Sequence, residues 1–306
     1  MKEDDVKKAV TILENAGFQV SDCSQVRSCF DLLARRDDTL LLIKVLGNIE
    51  GVTYRLAAEL RNAARSMYGT PLIIGDHMKT SALSPGIIYT RYDVHVVNME
   101  SFGEILGQKI PIIYSVRGNY CVRINCELLS KIRKKENLTQ EGLAEKLGVS
   151  KQSIHRYEST GRISLEIAEK LVSLLKEDLM MPGSIFAQDA YPPVDEVSSF
   201  VTDLKRAAYQ EFQNIGFTAS LTNAPFDIVA AETGGNERIL TIASDDRKGL
   251  IRKVEIIKDI SEMTGCLRVC ITNRSCDLDV AVIKPKEFSE IRGKEEFIKI
   301  LTEYRD

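Results

Sequence analysis

The pattern of apolar and polar positions divides the chain into three blocks. The first, about 1–118, mixes two periods. Val6 to Ala16 carries apolar residues at helical spacing and stops at Gly17, so an amphipathic helix opens the chain. Apolar runs at Cys29–Arg35 and Thr39–Leu46 predict strands. A helix follows from about Thr53 to Tyr68, with Ala57, Leu60, Ala64 and Met67 on one face. Gly69-Thr70-Pro71 ends it. Leu72–Gly75 and Asp93–Val97 then read as strands, and Ser101–Leu106 as a short helix.

The second block, 122–176, reads as helical throughout and ends near Met181-Pro182-Gly183. Tyr191-Pro192-Pro193 marks a linker. The third block, 195–306, repeats the first. Leu13-Glu14-Asn15-Ala16-Gly17-Phe18 is echoed by Phe212-Gln213-Asn214-Ile215-Gly216-Phe217. Phe30-Asp31 before an apolar strand is echoed by Phe226-Asp227, and Leu40–Ile43 by Ile239–Ile242. Asp31 stands 38 residues before Gly69, and Asp227 stands 38 before Gly265. Asp93-Val94-His95 finds its match in Asp279-Val280-Ala281, each followed by a short helix at Phe102 and Phe288. The period is too long for a solenoid. The pattern predicts an α/β plus all-α chain: two repeated mixed-sheet α/β domains (1–118 and 195–306) flanking a central helical domain (122–180).

Composition narrows the class. Hydrophobic residues make up 44% and charged residues 28% of the 306, an ordinary globular balance. The longest apolar runs, Leu40–Ile43 and Ile110–Tyr114, fall far short of the about 18 residues that suggest a membrane span. The N-terminus shows no basic segment followed by an apolar one, so no signal peptide and no membrane partner are expected, and the expected location is cytoplasmic. The seven cysteines include no CxxC pair and only three histidines accompany them, so neither a zinc site nor any other cofactor is expected. Reduced, buried thiols are the expectation, with Cys266 and Cys270 the weaker candidates for redox sensing.

Net charge is −3, yet residues 122–176 hold eleven Lys and Arg against seven Glu. A basic island in an acidic chain fits a localised nucleic-acid module. Its residues supply the mechanism. Thr139 suits an N-cap, Leu143, Ala144 and Leu147 form an apolar face, and Gly148 suits a left-handed helix end. Ser150 caps the next helix, from which Ile154 and Tyr157 turn inward. Lys151, Gln152, Ser153, His155 and Arg156 are left outward, donors and acceptors of the kind that read base edges in a major groove. Gln140 is placed for a phosphate contact, and Arg133, Lys134 and Arg162 for nonspecific attraction to the backbone.

Leu138-Thr139-Gln140-x-x-Leu143-Ala144-x-x-Leu147-Gly148-Val149-Ser150-x-x-x-Ile154-x-x-Tyr157-Glu158 resembles the Cro and lambda-repressor helix-turn-helix family at nearly every position. Gly142 departs from it at a cost of about 1 kcal/mol relative to alanine. The whole chain resembles a family of archaeal transcription regulators that carry this module centrally, after a segment like Asn119–Asn125. That resemblance implies a sequence-specific regulator of transcription whose partner is double-stranded DNA, with the transcription machinery a further partner. A single recognition helix per chain adds the expectation of a homodimer.

The repeated block resembles the restriction-endonuclease-like fold, in which one strand offers an Asp and the next an (Asp/Glu)-x-Lys. Asp31 and Leu42-Ile43-Lys44 stand at these places in the first copy, and Glu14 is within reach on the opening helix. Asp227 and Thr241-Ile242-Ala243 stand there in the second. Leu42 occupies the second acid's position, so both copies are expected to be degenerate, with no catalytic residue and no metal site. The alternatives are a metal-dependent nuclease aimed by the helix-turn-helix, and an adaptor bridging transcription factors.

Overall fold

The computed structural model describes residues 2–107, 113–116, 118–181, 185–186, 201–232, 237–275 and 278–304. The Tyr191-Pro192-Pro193 linker and Cys276 lie outside the described residues. The chain opens with α1 (Lys2–Asn15), β1 (Gln19–Asp22), β2 (Leu32–Arg36), β3 (Thr39–Asn48), α2 (Tyr54–Ser66), β4 (Thr70–Met78), β5 (Ser81–Ala82), β6 (Ile87–Arg91), β7 (Val94–Val97) and α3 (Met99–Leu106). Next come β8 (Ile113–Val116), β9 (Asn119–Ile124), α4 (Cys126–Lys135), α5 (Gln140–Leu147), α6 (Lys151–Thr160), β10 (Arg162–Ser164), α7 (Leu165–Leu175) and β11 (Met180–Met181). The last stretch holds α8 (Asp203–Asn214), β12 (Thr218–Leu221), β13 (Ile228–Ala231), β14 (Arg238–Ala243), α9 (Arg247–Thr264), β15 (Leu267–Ile271), β16 (Ala281–Ile283), α10 (Pro285–Glu290) and α11 (Lys294–Glu303).

The larger sheet runs β1-β2-β3-β4-β7-β6-β8-β9-β10. Its first five strands pair antiparallel, antiparallel, parallel, parallel. The smaller sheet, β12-β13-β14-β15-β16, shows the same four senses in the same order. The strands alternate between two buried faces. In β3, Leu41, Ile43 and Val45 pack with Val6, Ala9 and Leu13 of α1, while Leu40 and Leu42 join the opposite face with Ala57, Leu60 and Ala64 of α2.

That second face is shared. Val229, Leu240, Ile242 and the buried stripe of α9 belong to the same core as Phe30, Leu33 and Leu42. The rings of Phe30 and Phe226 meet at 6.2 Å between centroids. The polar contacts across this join are reciprocal. Arg35 on β2 donates to the Met263 carbonyl at the end of α9 (2.7 Å), and the Arg238 guanidinium on β14 lies 3.9 Å from the Tyr68 ring just after α2. Cys29 N donates to the Asn223 carbonyl (2.7 Å), and the Asn223 amide donates to buried Glu59 (2.8 Å).

Two sequence expectations change. The central block is not helical throughout, because β9, β10 and β11 frame it. β10 and β11 are too short to show a period, and β9, in which Tyr120, Val122 and Ile124 alternate with polar or small residues, is ordered by pairing Arg162–Ser164 with Cys121–Arg123 and Met180 with Ile124. The match between the two α/β blocks also slips by one residue. Leu32 pairs with Ile43 and Ile228 with Thr241, so Leu41–Lys44 corresponds to Ile239–Ile242. A slip of one exchanges the two faces of a strand. The counterpart of Lys44 is therefore Ile242, and that of Leu42 is Leu240.

Candidate nucleic-acid interface

The central helices fold for local reasons. Thr139 Oγ1 accepts the Gly142 N–H at 3.0 Å and starts α5. Gly148, at φ 69°, ends it in the left-handed region that a glycine enters without strain. Ser150 Oγ then accepts the Ser153 N–H at 3.1 Å and starts α6. Leu129, Leu143, Leu147, Ile154, Tyr157, Ile163 and Leu171 close the core beneath, so α6 is pinned by its inner face.

Its outer face is exposed at Lys151, Gln152, His155 and Arg156, with Ser150 at its start. Ser153 is half-buried and its hydroxyl lies 3.0 Å from that of Ser150. Lys151 stands 3.9 Å from Glu141, an exposed pair that contributes little. The Arg156 guanidinium sits 5.5 Å from the Tyr157 ring. Lys134 and Arg162 are exposed.

Arg133 is different. It was expected to add nonspecific attraction to the DNA backbone, but its guanidinium is buried and bonds both Glu158 oxygens (2.5 and 3.1 Å) and the Leu138 carbonyl (2.9 Å). A cation held by three internal contacts ties α4 to α6 and is not available to DNA. Gln140 donates to the same Glu158 carboxylate at 2.7 Å, so part of its amide is committed internally too. Burial pushes the Glu158 carboxyl up, and the bonds from Arg133 and Gln140 outweigh this, leaving it below the ordinary glutamate range. A shallow depression between α4 and α6 is lined by Ser130, Lys131, Lys134, Gln140, His155 and Ser159, among others. Lys131 escaped the sequence reading, although it stands one helical turn before Lys134 on the same side of α4.

The nuclease-like positions are closed. Asp31 is buried, accepts the Val45 N–H at 2.8 Å, and meets the Lys44 ammonium at 3.1 Å. Lys44 also donates to the Ser28 carbonyl (2.8 Å). Asp227 is equally buried and accepts the Ala243 N–H at 2.9 Å. Its cations come from elsewhere: Lys205 on α8 (2.7 Å) and Lys253 on α9 (2.8 Å). Glu14 is exposed on α1. Among the described residues no group of three or more Asp, Glu, His or Cys is placed to hold a metal. Cys23, Cys29, Cys266 and Cys270 are buried, and burial pushes the Cys29 thiol up to about 12 and raises Cys266 as well, which disfavours the reactive thiolate. Among the described residues no helix is long and apolar enough to cross a membrane.

Known proteins share both features. Residues 2–112 match the PD-(D/E)XK superfamily domain, and residues 129–180 match a helix-turn-helix family. A relative from Pyrococcus furiosus is 30% identical over 302 residues, spanning 96% of this chain and 95% of its own. One from Methanothermobacter thermautotrophicus is 32% identical, spanning 95% and 93%. One from Halobacterium salinarum is 28% identical, spanning 98% and 97%. Each bears the name "Putative HTH-type transcriptional regulatory protein". No solved structure matches the chain. The chain belongs to this family of archaeal HTH-type transcriptional regulatory proteins.

Proposed function

We propose that this protein regulates transcription in the cytoplasm by reading a specific duplex sequence with α6 in the major groove. One observation carries the reading: α6 is capped and pinned by Ile154 and Tyr157, and turns Lys151, Gln152, His155 and Arg156 to solvent. Gln152 can pair bidentately with adenine, and Lys151 and Arg156 can reach guanine acceptors or phosphates. Lys134 and Lys131 on α4 add attraction to the backbone, which carries no sequence information. Gln152→Ala is expected to lower operator affinity by roughly 1–3 kcal/mol and to relax preference at one base pair. Lys134→Ala weakens all sequences alike and flattens the salt dependence. Binding isotherms on operator and scrambled duplexes at several salt concentrations decide; two variants with the same behaviour would sink this docking. One reading helix covers a short half-site, so two chains act together on paired half-sites. Light scattering that finds one chain per operator would overturn that part.

We read residues 195–306 as a second, degenerate copy of the 1–118 domain, and neither copy as catalytic. Support comes from the shared order of strand senses, the lysines at Asp31 and Asp227, and the burial of both acids. The match of residues 2–112 to the PD-(D/E)XK superfamily favours one second reading, a magnesium-dependent nuclease. Magnesium-dependent cleavage of duplex or branched DNA that disappears in Asp31→Ala would establish it.

A further inference from the structure

Two helices with the same role in their sheets carry their charges in opposite order. α2 joins β3 to its parallel neighbour β4, and α9 joins β14 to its parallel neighbour β15. Cations suit the end of a helix and anions its start, because of the backbone dipole. α2 conforms. Arg55 is bonded to Glu59 at 2.9 Å, Arg61 is buried and bonded to Asp93 at 3.0 Å, and Arg65 stands in the last turn. α9 inverts the rule. Residues 247–253 hold four Lys and Arg and no acid, while the last turn has Glu262 and no base. Lys248 and Arg252 also stand four apart, a spacing at which like charges repel on a helix.

Both arrangements cost the free helix stability, and no internal partner offsets them. Lys253 turns to Asp227 (2.8 Å) and is accounted for. Arg247, Lys248 and Arg252 are exposed, and none of them enters an ion pair among the described residues. The backbone N–H groups at this helix start are not the feature on offer, since Asp246 accepts the Lys248 N–H at 3.3 Å. Side-chain cations are what this surface presents.

A fourth cation is brought to them from the next strand. The Asp245 carboxylate accepts the Thr272 hydroxyl (2.9 Å), the Asn273 N–H (2.8 Å) and the Asn273 amide (3.0 Å). The loop after β15 is thereby locked onto the loop before α9. Arg274 Nε then donates to the Asp245 carbonyl, two residues before Arg247, which uses one donor of an exposed guanidinium. Four exposed cations thus gather at the carboxyl ends of β14 and β15, in a chain whose net charge is −3. A surface that concentrates positive charge against its own stability is complementary to a polyanion. A duplex offers a row of phosphates, and arginine forks match phosphate oxygens.

We propose that Arg247, Lys248, Arg252 and Arg274 form a second contact with the DNA backbone, outside the base pairs read by α6. The proposal rests on the DNA-binding reading above. The contact adds affinity and carries no sequence information. It lies apart from Asp227, whose own cations stay internal.

The test uses the full chain and a long mixed-sequence duplex, with affinity measured across a salt series and unfolding followed without DNA. The double variant Lys248→Gln, Arg252→Gln is expected to weaken binding by about 10-fold and to lower the slope of log affinity against log salt by about 1.8, two phosphate contacts. Arg274→Gln should lower the slope by about half as much. The charge-keeping pair Lys248→Arg, Arg252→Lys should hold the slope. Without DNA, the unfolding midpoint of the double glutamine variant should equal or exceed that of the unaltered protein. Unchanged affinity and slope in that variant, with Lys134→Ala still flattened, would overturn this contact and leave the DNA reading standing. Weakened binding with an unchanged slope would place the effect on the fold instead of on phosphates, and would overturn it as well. An unaltered protein with no salt-sensitive affinity for any duplex would remove the DNA reading, and this contact with it.

Discussion

Asp31 and Asp227 occupy the same place in two sheets and reach neutrality by different routes. Each follows a phenylalanine, each is buried, and each accepts a backbone N–H from the neighbouring strand, Val45 or Ala243. For Asp31 the cation comes from that same neighbouring strand. Lys44 reaches it from β3, with its side chain only 10% exposed. For Asp227 the strand position holds Ile242, and two helices supply Lys205 and Lys253, which remain 25% and 21% exposed. An acid fixed in a sheet face sets a demand for positive charge, and the sequence can meet it from any element that reaches. The first solution is nearly dry, whereas the second leaves its lysine side chains partly in water.

The largest effects should fall where that difference is removed. Asp31→Ala strands a buried ammonium and should cost about 3–5 kcal/mol in urea unfolding. Asp227→Ala should cost clearly less, because Lys205 and Lys253 can turn outward along their apolar stems. Equal losses would erase the distinction between the two sites. Phe30→Ala and Phe226→Ala should each cost about 3–5 kcal/mol, since each empties a buried aromatic site. The rings touch, so the double variant should lose less than the two together. Strict additivity would mean that the two α/β units are not packed as described.

A half-buried acid extends the comparison to the helix-turn-helix. Glu158 has an arginine and an amide in place of lysines, and its carboxyl lies below the ordinary range once these bonds outweigh burial. Its contribution to stability is complete above the unfolded-state glutamate value of about 4.3 and is lost as pH falls through the lower folded value. Acid unfolding monitored in this module should therefore lose part of its pH dependence below about 4.3 in Glu158→Gln. An unaltered acid limb would show that Glu158 is not the group involved. The smallest effect should be Lys44→Met, in which Asp31 keeps its Val45 N–H donor; the loss in urea unfolding should be about 1–3 kcal/mol.

What the sequence made legible follows from the range of the interactions. The helix-turn-helix was readable because Thr139, Gly148 and Ser150 act within a few residues of themselves. Arg133 was misread for the opposite reason. Beside Lys134 and Lys135 it looks like a solvated cation, and Glu158, 25 residues on, helps draw it inside. The repeat was visible in the order of its motifs, but matching it residue by residue needed the ladder, because apolar runs such as Leu40–Ile43 look alike when moved by one. Lys205 and Lys253 carried no sequence signal at all. They lie on helices, 22 residues before and 26 residues after the acid they serve.

The strand β9 belongs at once to the large sheet, through β8, and to the helix-turn-helix, through β10 and β11. A reading head on a string adjusts to wherever its target lies. A head built onto a girder does not. One base pair added between paired sites rotates the second by about 34–36° around the duplex. On the paired half-sites proposed above, a body stiffened by a continuous sheet would have to twist its whole frame to follow, and the proposed dimer would then act as a ruler that measures the spacing of its sites as well as their letters.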